Sequence, residues 1–233
     1  MNDSSTVFFS ALEGRIERYD LLKHPYYQAW SKGELTRDDL REYASEYWHH
    51  VSSFPAYLSA LHSQLPDGKL RRSILENLAD EEGLQDGVPH SDLWMDFARG
   101  MGAENSAVRN RVIGSETRAL LDHYRSTMSK SPVEALAALY AYESRVPAIA
   151  KTKAEGLERH YGTDAATRRY FTIHTTADVQ HARVWKELLS AELASHPENA
   201  EAALQAAEDA AHALWRTLDG IEAGRQARMA AAV

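Results

Sequence analysis

Leu40-Arg-Glu-Tyr43-Ala-Ser-Glu-Tyr47-Trp-His-His-Val51-Ser-Ser-Phe54-Pro-Ala-Tyr-Leu58-Ser-Ala-Leu61 is the stretch that decides the fold class. Its apolar and aromatic positions recur in steps of three and four, which gathers one buried stripe along an α-helix. Just upstream, Thr36 supplies an N-cap hydroxyl, and Asp38 and Asp39 place negative charge in the first turn. Ser131-Pro132-Val133-Glu134 reads as a capping box with proline at the first helical position, opening a helix through Leu136, Leu139 and Tyr140. After a break at His196-Pro197 the stripe returns at Leu204, Ala207, Ala211, Leu214, Leu218 and Ile221. No stretch alternates as a strand does. Breaks at Leu65 to Gly68, Gly83 to Pro89, Gly100 to Gly102, Ser129 to Pro132 and Gly162 divide the chain into about seven helices. With no Ser/Pro-rich linker and no internal repeat, residues 1–233 are expected to form a single all-α bundle. The last dozen residues, ending Ala-Arg-Met-Ala-Ala-Ala-Val, are expected to fray.

Composition narrows the chemistry. The 12 glycines and 7 prolines among 233 residues are few, as suits long helices. There is no cysteine, which removes disulfides, thiolate metal sites and cysteine nucleophiles. Lys and Arg number 26 against 34 Asp and Glu, a formal charge of −8, and no dense basic tract exists to neutralise nucleic-acid phosphates. No run of about 18 apolar residues exists to span a membrane, and the N-terminus lacks the basic and apolar regions of a signal peptide. A cytoplasmic location is therefore expected, without nucleic-acid or membrane partners.

His174-Thr-Thr-Ala-Asp178-Val-Gln-His181 is the most informative string for function. At about 100° per residue, offsets of four and seven bring two imidazoles and a carboxylate onto one helical face, aimed at one point. That donor set suits non-haem iron or manganese; a solvated face with satisfied histidines is an equal alternative from this string alone. Glu143 lies in the most apolar stretch of the chain and needs a cation. A metal is favoured over Arg145, which projects elsewhere on a regular helix, and Pro147 predicts a kink at this carboxylate. Glu81 and Glu82 end another helical stretch, with His90 beyond a glycine-rich turn. Together these residues suffice for a dinuclear site in which Glu143 bridges. A competing Glu46-x-x-His49 pair reads as surface residues, because His49 turns away from the apolar stripe.

The segments His24-Pro-Tyr-Tyr-Gln-Ala-Trp30, Tyr43-Ala-Ser-Glu-Tyr-Trp48 with Phe54-Pro55, Asn77-Leu-Ala-Asp-Glu-Glu82, Tyr142-Glu143 and His174-x-x-x-Asp178-x-x-His181 occur in order over roughly residues 8–190. In this they resemble the chlamydial death-domain-associating protein family, a branch of the haem-oxygenase-like dimetal oxidases related to thiaminase-type and pyrroloquinoline-quinone synthase folds. The resemblance implies an oxygen-dependent para-aminobenzoate synthase for folate, which cuts the product's ring from one of its own tyrosines and takes the nitrogen from a lysine. It implies Glu81, His90, Glu143, His174, Asp178 and His181 as ligands of two metal ions, iron–iron or manganese–iron. It implies Tyr27 as the sacrificed tyrosine, Tyr43 as a second radical tyrosine and Lys153 as the nitrogen donor. On sequence alone Lys153 is an ordinary surface lysine, and each tyrosine a core aromatic. The Glu81 to His90 loop is longer than the family's, which makes Glu82 the alternative to Glu81. A homodimer and an external reductant are expected. The rival readings are an oxidase of the same fold acting on an external amine or fatty acid, and a non-catalytic interaction module; thiaminase chemistry is disfavoured without a cysteine.

Overall fold

A computed structural model describes residues 3–84 and 87–231. Among them the chain forms α1 (Asp3–Glu17), α2 (Pro25–Lys32), α3 (Arg37–Gln64), α4 (Lys69–Glu81), α5 (His90–Gly100), α6 (Asn105–Arg109), α7 (Ser115–Met128), α8 (Pro132–Glu143), α9 (Val146–Tyr161), α10 (Ala165–His174), α11 (Ala177–Ser195) and α12 (Ala200–Ala231). Two short 3₁₀ turns complete the described elements, and none of these is a strand. No described helix is long and apolar enough to cross a membrane.

The expected caps form. Thr36 accepts from the Asp39 amide while the Asp39 carboxylate accepts from the Thr36 amide, and Ser131 and Glu134 do the same at the start of α8. α3 buries Leu40, Tyr43, Tyr47, Val51, Phe54, Leu58 and Leu61, the stripe that its spacing predicts. α8 behaves differently. Apart from Glu134, every residue from Val133 to Ala141 is buried, as a helix apolar on all faces must be. It lies against α11 and α12, and the alanines Ala203, Ala206, Ala207, Ala210 and Ala211 of α12 are small enough to let helices pack closely. α10 packs between α5 and α9, and α3 against α4, α5 and α7, so the ends of α4, α5, α8, α10 and α11 meet inside the bundle.

Two expectations need correction. Seven helices become twelve because several predicted stretches break internally. α8 ends at Glu143 and α9 restarts at Val146 with Pro147 in its first turn, so the predicted kink is a full interruption. α10 and α11 part at Thr175 and Thr176, whose hydroxyls donate to the Thr172 and Ile173 carbonyls and compete with the helical ladder. The last dozen residues do not fray as far as Ala231: α12 runs on, and Arg228 reaches Asp39 at 3.1 Å. Ala232 and Val233, like Met1, Asn2 and the loop residues Gln85 and Asp86, lie outside the described residues.

Candidate metal centre

Five helix termini bring the six acidic and imidazole side chains together in two groups. Glu81, His90 and His174 form one and Glu143, Asp178 and His181 the other, the donor atoms within each lying no more than 4.8 Å apart. Glu81 closes α4, His90 opens α5, Glu143 closes α8, His174 closes α10 and Asp178 sits in the first turn of α11. The single-face reading of His174, Asp178 and His181 is thereby corrected. The Thr175–Thr176 break turns His174 toward His90, with ring centroids 4.6 Å apart, while Asp178 and His181 face Glu143. Glu81 is buried and Glu82 exposed, so Glu81 is the glutamate that meets the cluster. His90 joins it despite the longer loop.

The hydrogen bonds orient the donors. His174 Nδ1 lies 2.6 Å from the Tyr170 carbonyl, which holds the proton there and leaves Nε2 with a free lone pair. His181 Nδ1 lies 3.2 Å from Asp178 Oδ1 and 3.9 Å from Glu143 Oε1. Glu143 accepts from Asn77 Nδ2 at 3.3 Å and from the Trp185 indole. His90 Nδ1 stands 3.2 Å from Glu81 without hydrogen-bonding geometry, and neither ring nitrogen of His90 has a hydrogen-bond partner among the described residues.

Burial pushes the Glu143 carboxyl well above its ordinary pKa, and Asp178 and Glu81 push the same way against His181 and Trp185. His181 is also raised: burial opposes its charge, but Asp178, Asp80 and Glu143 outweigh it. Among the described residues no lysine or arginine pairs with Glu81, Glu143 or Asp178. Three buried carboxylates crowded around one charged imidazole, with no lysine or arginine among the described residues to pair with them, beside a buried histidine whose nitrogens have no hydrogen bond, fit a metal site in charge and in donor chemistry.

A second region, built around a buried amine, adjoins the first. Lys153 is only 6% exposed, which corrects its reading as a surface lysine. Its Nζ donates to Tyr27 Oη at 2.7 Å and to Tyr43 Oη at 2.5 Å, and the two phenols lie 3.0 Å apart. The rings of Tyr27, Trp30 and Tyr43 stand around Nζ at centroid distances of 4.2, 5.3 and 4.7 Å. Burial in this aromatic box holds the ammonium pKa well below its ordinary value and favours the free amine. Gly156, one turn on, makes the approach possible, because a Cβ there would lie 2.8 Å from Trp30 Cδ1. A cavity of about 30 Å³ is lined by Tyr27, Lys153, Tyr142 and Tyr170, among others. A second, of about 10 Å³, is lined by Glu81, Glu143, His174 and Asp178, again with Tyr142 and Tyr170. These two tyrosines form the wall between metal-type and lysine-type chemistry.

Glu46 and His49 take no part. Glu46 is not a surface residue but buried, accepting from Arg111 at 2.6 Å and from the Gly114 amide at 2.7 Å, which braces the loop before α7. Tyr170 and Trp185 escaped the sequence reading, and Asn77 and Asp80 stood in it only as part of a motif, with no role of their own. Tyr170 stands four residues before His174, one helical turn, and that spacing was the available signal.

The family model described as iron-containing redox enzyme matches residues 41–215. The chain is 37% identical to a 4-aminobenzoate synthase of Chlamydia pneumoniae over 91% of its own length and 94% of the relative's. It is 36% identical to a 4-aminobenzoate synthase of Nitrosomonas europaea, covering 94% and 92% of the two chains. Among solved structures, a domain of unknown function with a heme oxygenase-like fold from Shewanella denitrificans superposes with a TM-score of 0.80 at 17% identity, over 95% of this chain and 93% of that one. The chain belongs to the family of iron-containing redox enzymes with the haem-oxygenase-like fold.

Proposed function

We infer that this enzyme makes 4-aminobenzoate with oxygen and an external reductant, taking the ring from its own Tyr27 and the nitrogen from Lys153. The curated relatives over nearly the whole chain bear that product's name. Glu81, His90 and His174 would hold one metal ion and Glu143, Asp178 and His181 a second, an iron–iron or manganese–iron pair. When bound, such a pair would supply the means to reduce oxygen and so to oxidise a phenol, which oxygen alone does slowly.

One observation carries the reading. In 4-aminobenzoate the amine stands para to the carboxyl carbon, and in tyrosine the hydroxyl stands para to Cβ. The nitrogen must therefore arrive at the phenolic end of the ring, and Lys153 Nζ lies there, 2.7 Å from Tyr27 Oη. Its uncharged form has the lone pair needed for attack. Burial pushes the Tyr27 phenol up from its ordinary pKa, so its proton stays in place until the ring is oxidised. Tyr43 touches the same nitrogen, but it sits mid-way along the 28-residue α3 and does not line the cavity, whereas Tyr27 lies on an eight-residue helix and does. A side chain lost from α2 leaves the central helix intact. The roughly 30 Å³ beside Lys153 accommodates one or two waters, not a fatty acid or a bulky amine, which disfavours an external substrate.

The test is isotopic. Protein grown with ring-deuterated tyrosine and ¹⁵N-lysine, loaded with metal and given oxygen and reductant, should release doubly labelled 4-aminobenzoate at no more than about one molecule per chain. Tyr27→Phe should release none while retaining its metal. Many turnovers per chain on an added amine or fatty acid, with Tyr27→Phe fully active, would establish the rival oxidase.

A further inference from the structure

The three histidines of the centre are oriented in three different ways. His174 gives its Nδ1 proton to a backbone carbonyl, and His90 has no hydrogen-bonded acceptor among the described residues. His181 alone has carboxylates on opposite edges of its ring: Nδ1 faces Asp178 and Glu143, and Nε2 lies 3.3 Å from Asp80 Oδ2. Asp80 is not within the ligand groups, yet it immediately precedes Glu81 and so follows the same helix end into the site. In this structure the ring's hydrogen bond is at Nδ1, to Asp178; once Asp178 and Glu143 hold a cation, the carboxylate beside Nε2 draws the proton to that edge and leaves the Nδ1 lone pair directed inward. The need for such a clamp is local. His181 is 13% exposed and forms, with Asp80, Asn77 and Glu76, part of the wall of a groove of about 520 Å³, whereas Glu81, His90 and His174 are all buried. A ring bordering open water can turn over or take the other tautomer; a ring packed on all sides cannot.

We propose that Asp80 is the positioning residue of the Glu143–Asp178–His181 ion, holding His181 so that Nδ1 is the coordinating nitrogen, while pairing with no member of the Glu81–His90–His174 group. This rests on the dimetal reading above. It assigns opposite ring nitrogens to the two histidines, Nε2 for His174 and Nδ1 for His181, each set by the acceptor that is not itself in a ligand group, the Tyr170 carbonyl and Asp80.

The experiment is a calorimetric titration of the full-length apoprotein with Zn(II), a spectroscopically silent probe, followed by ¹⁵N NMR of the histidine side chains in the loaded protein. Wild type should take up two equivalents, with His181 protonated at Nε2 and coordinated through Nδ1. Asp80→Asn and Asp80→Ala should weaken one equivalent by about 10- to 100-fold and the other far less. Asp80→Glu, which keeps the carboxylate, should recover part of that loss. Retention of both equivalents at wild-type affinity in the Asn and Ala variants overturns the proposal, as does equal weakening of both or coordination through Nε2. If wild type itself takes up no metal, the dimetal reading fails, and the role of Asp80 with it.

Discussion

The two halves of the centre bury polar groups by opposite means. The carboxylate–imidazole half gathers charges, raises Glu143 toward protonation and finds no lysine or arginine to pair with among the described residues. The lysine half buries one base among aromatic rings and lowers its pKa instead. The first is incomplete without a cation; the second is complete as it stands and only less stable for holding an amine. Tyr142 and Tyr170, which line both cavities, keep the two regimes adjacent without mixing them. Oxidising chemistry and a nucleophilic amine can thus coexist a ring's width apart.

The comparison is broken most directly by removing metal. If the carboxylates of the first half are held together by ions, stripping a loaded sample with chelator should lower its melting temperature, and iron or manganese should restore it. At about a thousandfold excess over Kd the linkage is worth about 4 kcal/mol, on the order of 10 °C for a chain of this size. Identical melting curves would mean that the acids are satisfied without a cation and would revive the interaction-module reading. The division of the half into two groups has its own test. His174→Ala should abolish tight binding of the ion shared with Glu81 and His90, and His181→Ala that of the ion shared with Glu143 and Asp178, by about 100-fold or more in each case. Elemental analysis that finds full metal in both variants sinks the assignment.

How much of this was legible depended on which forces each residue answers to. The stripe of α3, the capping boxes and the break at Pro147 follow from local stereochemistry, so the sequence displays them. The six acids and imidazoles were legible as types in an apolar context, but their pairing was not. Spacing placed His174, Asp178 and His181 on one face, and two threonine hydroxyls redirected the chain between them. Lys153 was legible only through the family resemblance. Its neighbour Lys151 is exposed, and nothing local tells which of the two faces the phenols. The close approach that Gly156 allows between α9 and Trp30 is a tertiary fact with only a single glycine as its trace.

Lys153→Met probes the lysine half from the stability side. Methionine matches the length of the chain, lacks the charge and leaves the Tyr27–Tyr43 contact in place. Product formation should cease while metal content is unchanged, and at neutral pH the variant should melt higher than wild type, by about 2–4 °C per kcal/mol recovered. The sign follows from linkage. Because the folded amine titrates below its ordinary 10.5, the unfolded chain binds the proton more readily throughout that interval, and wild type loses stability as pH falls through it. The advantage of Lys153→Met is therefore absent above about pH 10.5 and widens as pH falls toward the folded value. Because methionine also removes the two bonds to the phenols, the deciding readout is the pH dependence: a difference between variant and wild type that does not widen as pH falls below about 10.5 would show that the lysine is buried as a stabilised ammonium, which contradicts its role as a nucleophile.

The smallest expected effect marks the boundary of that half. Tyr26 stacks on Tyr43 with ring centroids 5.5 Å apart, yet its hydroxyl donates not to Lys153 but to the Asp39 carbonyl at 2.9 Å. Tyr26→Phe keeps the stack and removes one buried hydrogen bond, at a cost of about 1 kcal/mol, and so should lower the melting temperature by about 2–4 °C. Metal content and the yield of labelled 4-aminobenzoate should not change, because no atom of Tyr26 borders the amine or the cavity. If the yield falls tenfold with metal intact, the reactive group is larger than Tyr27, Tyr43 and Lys153. The stacked phenols of α2 and α3 would then act together, and the sharp division between a charged half and a single uncharged base would have to give way.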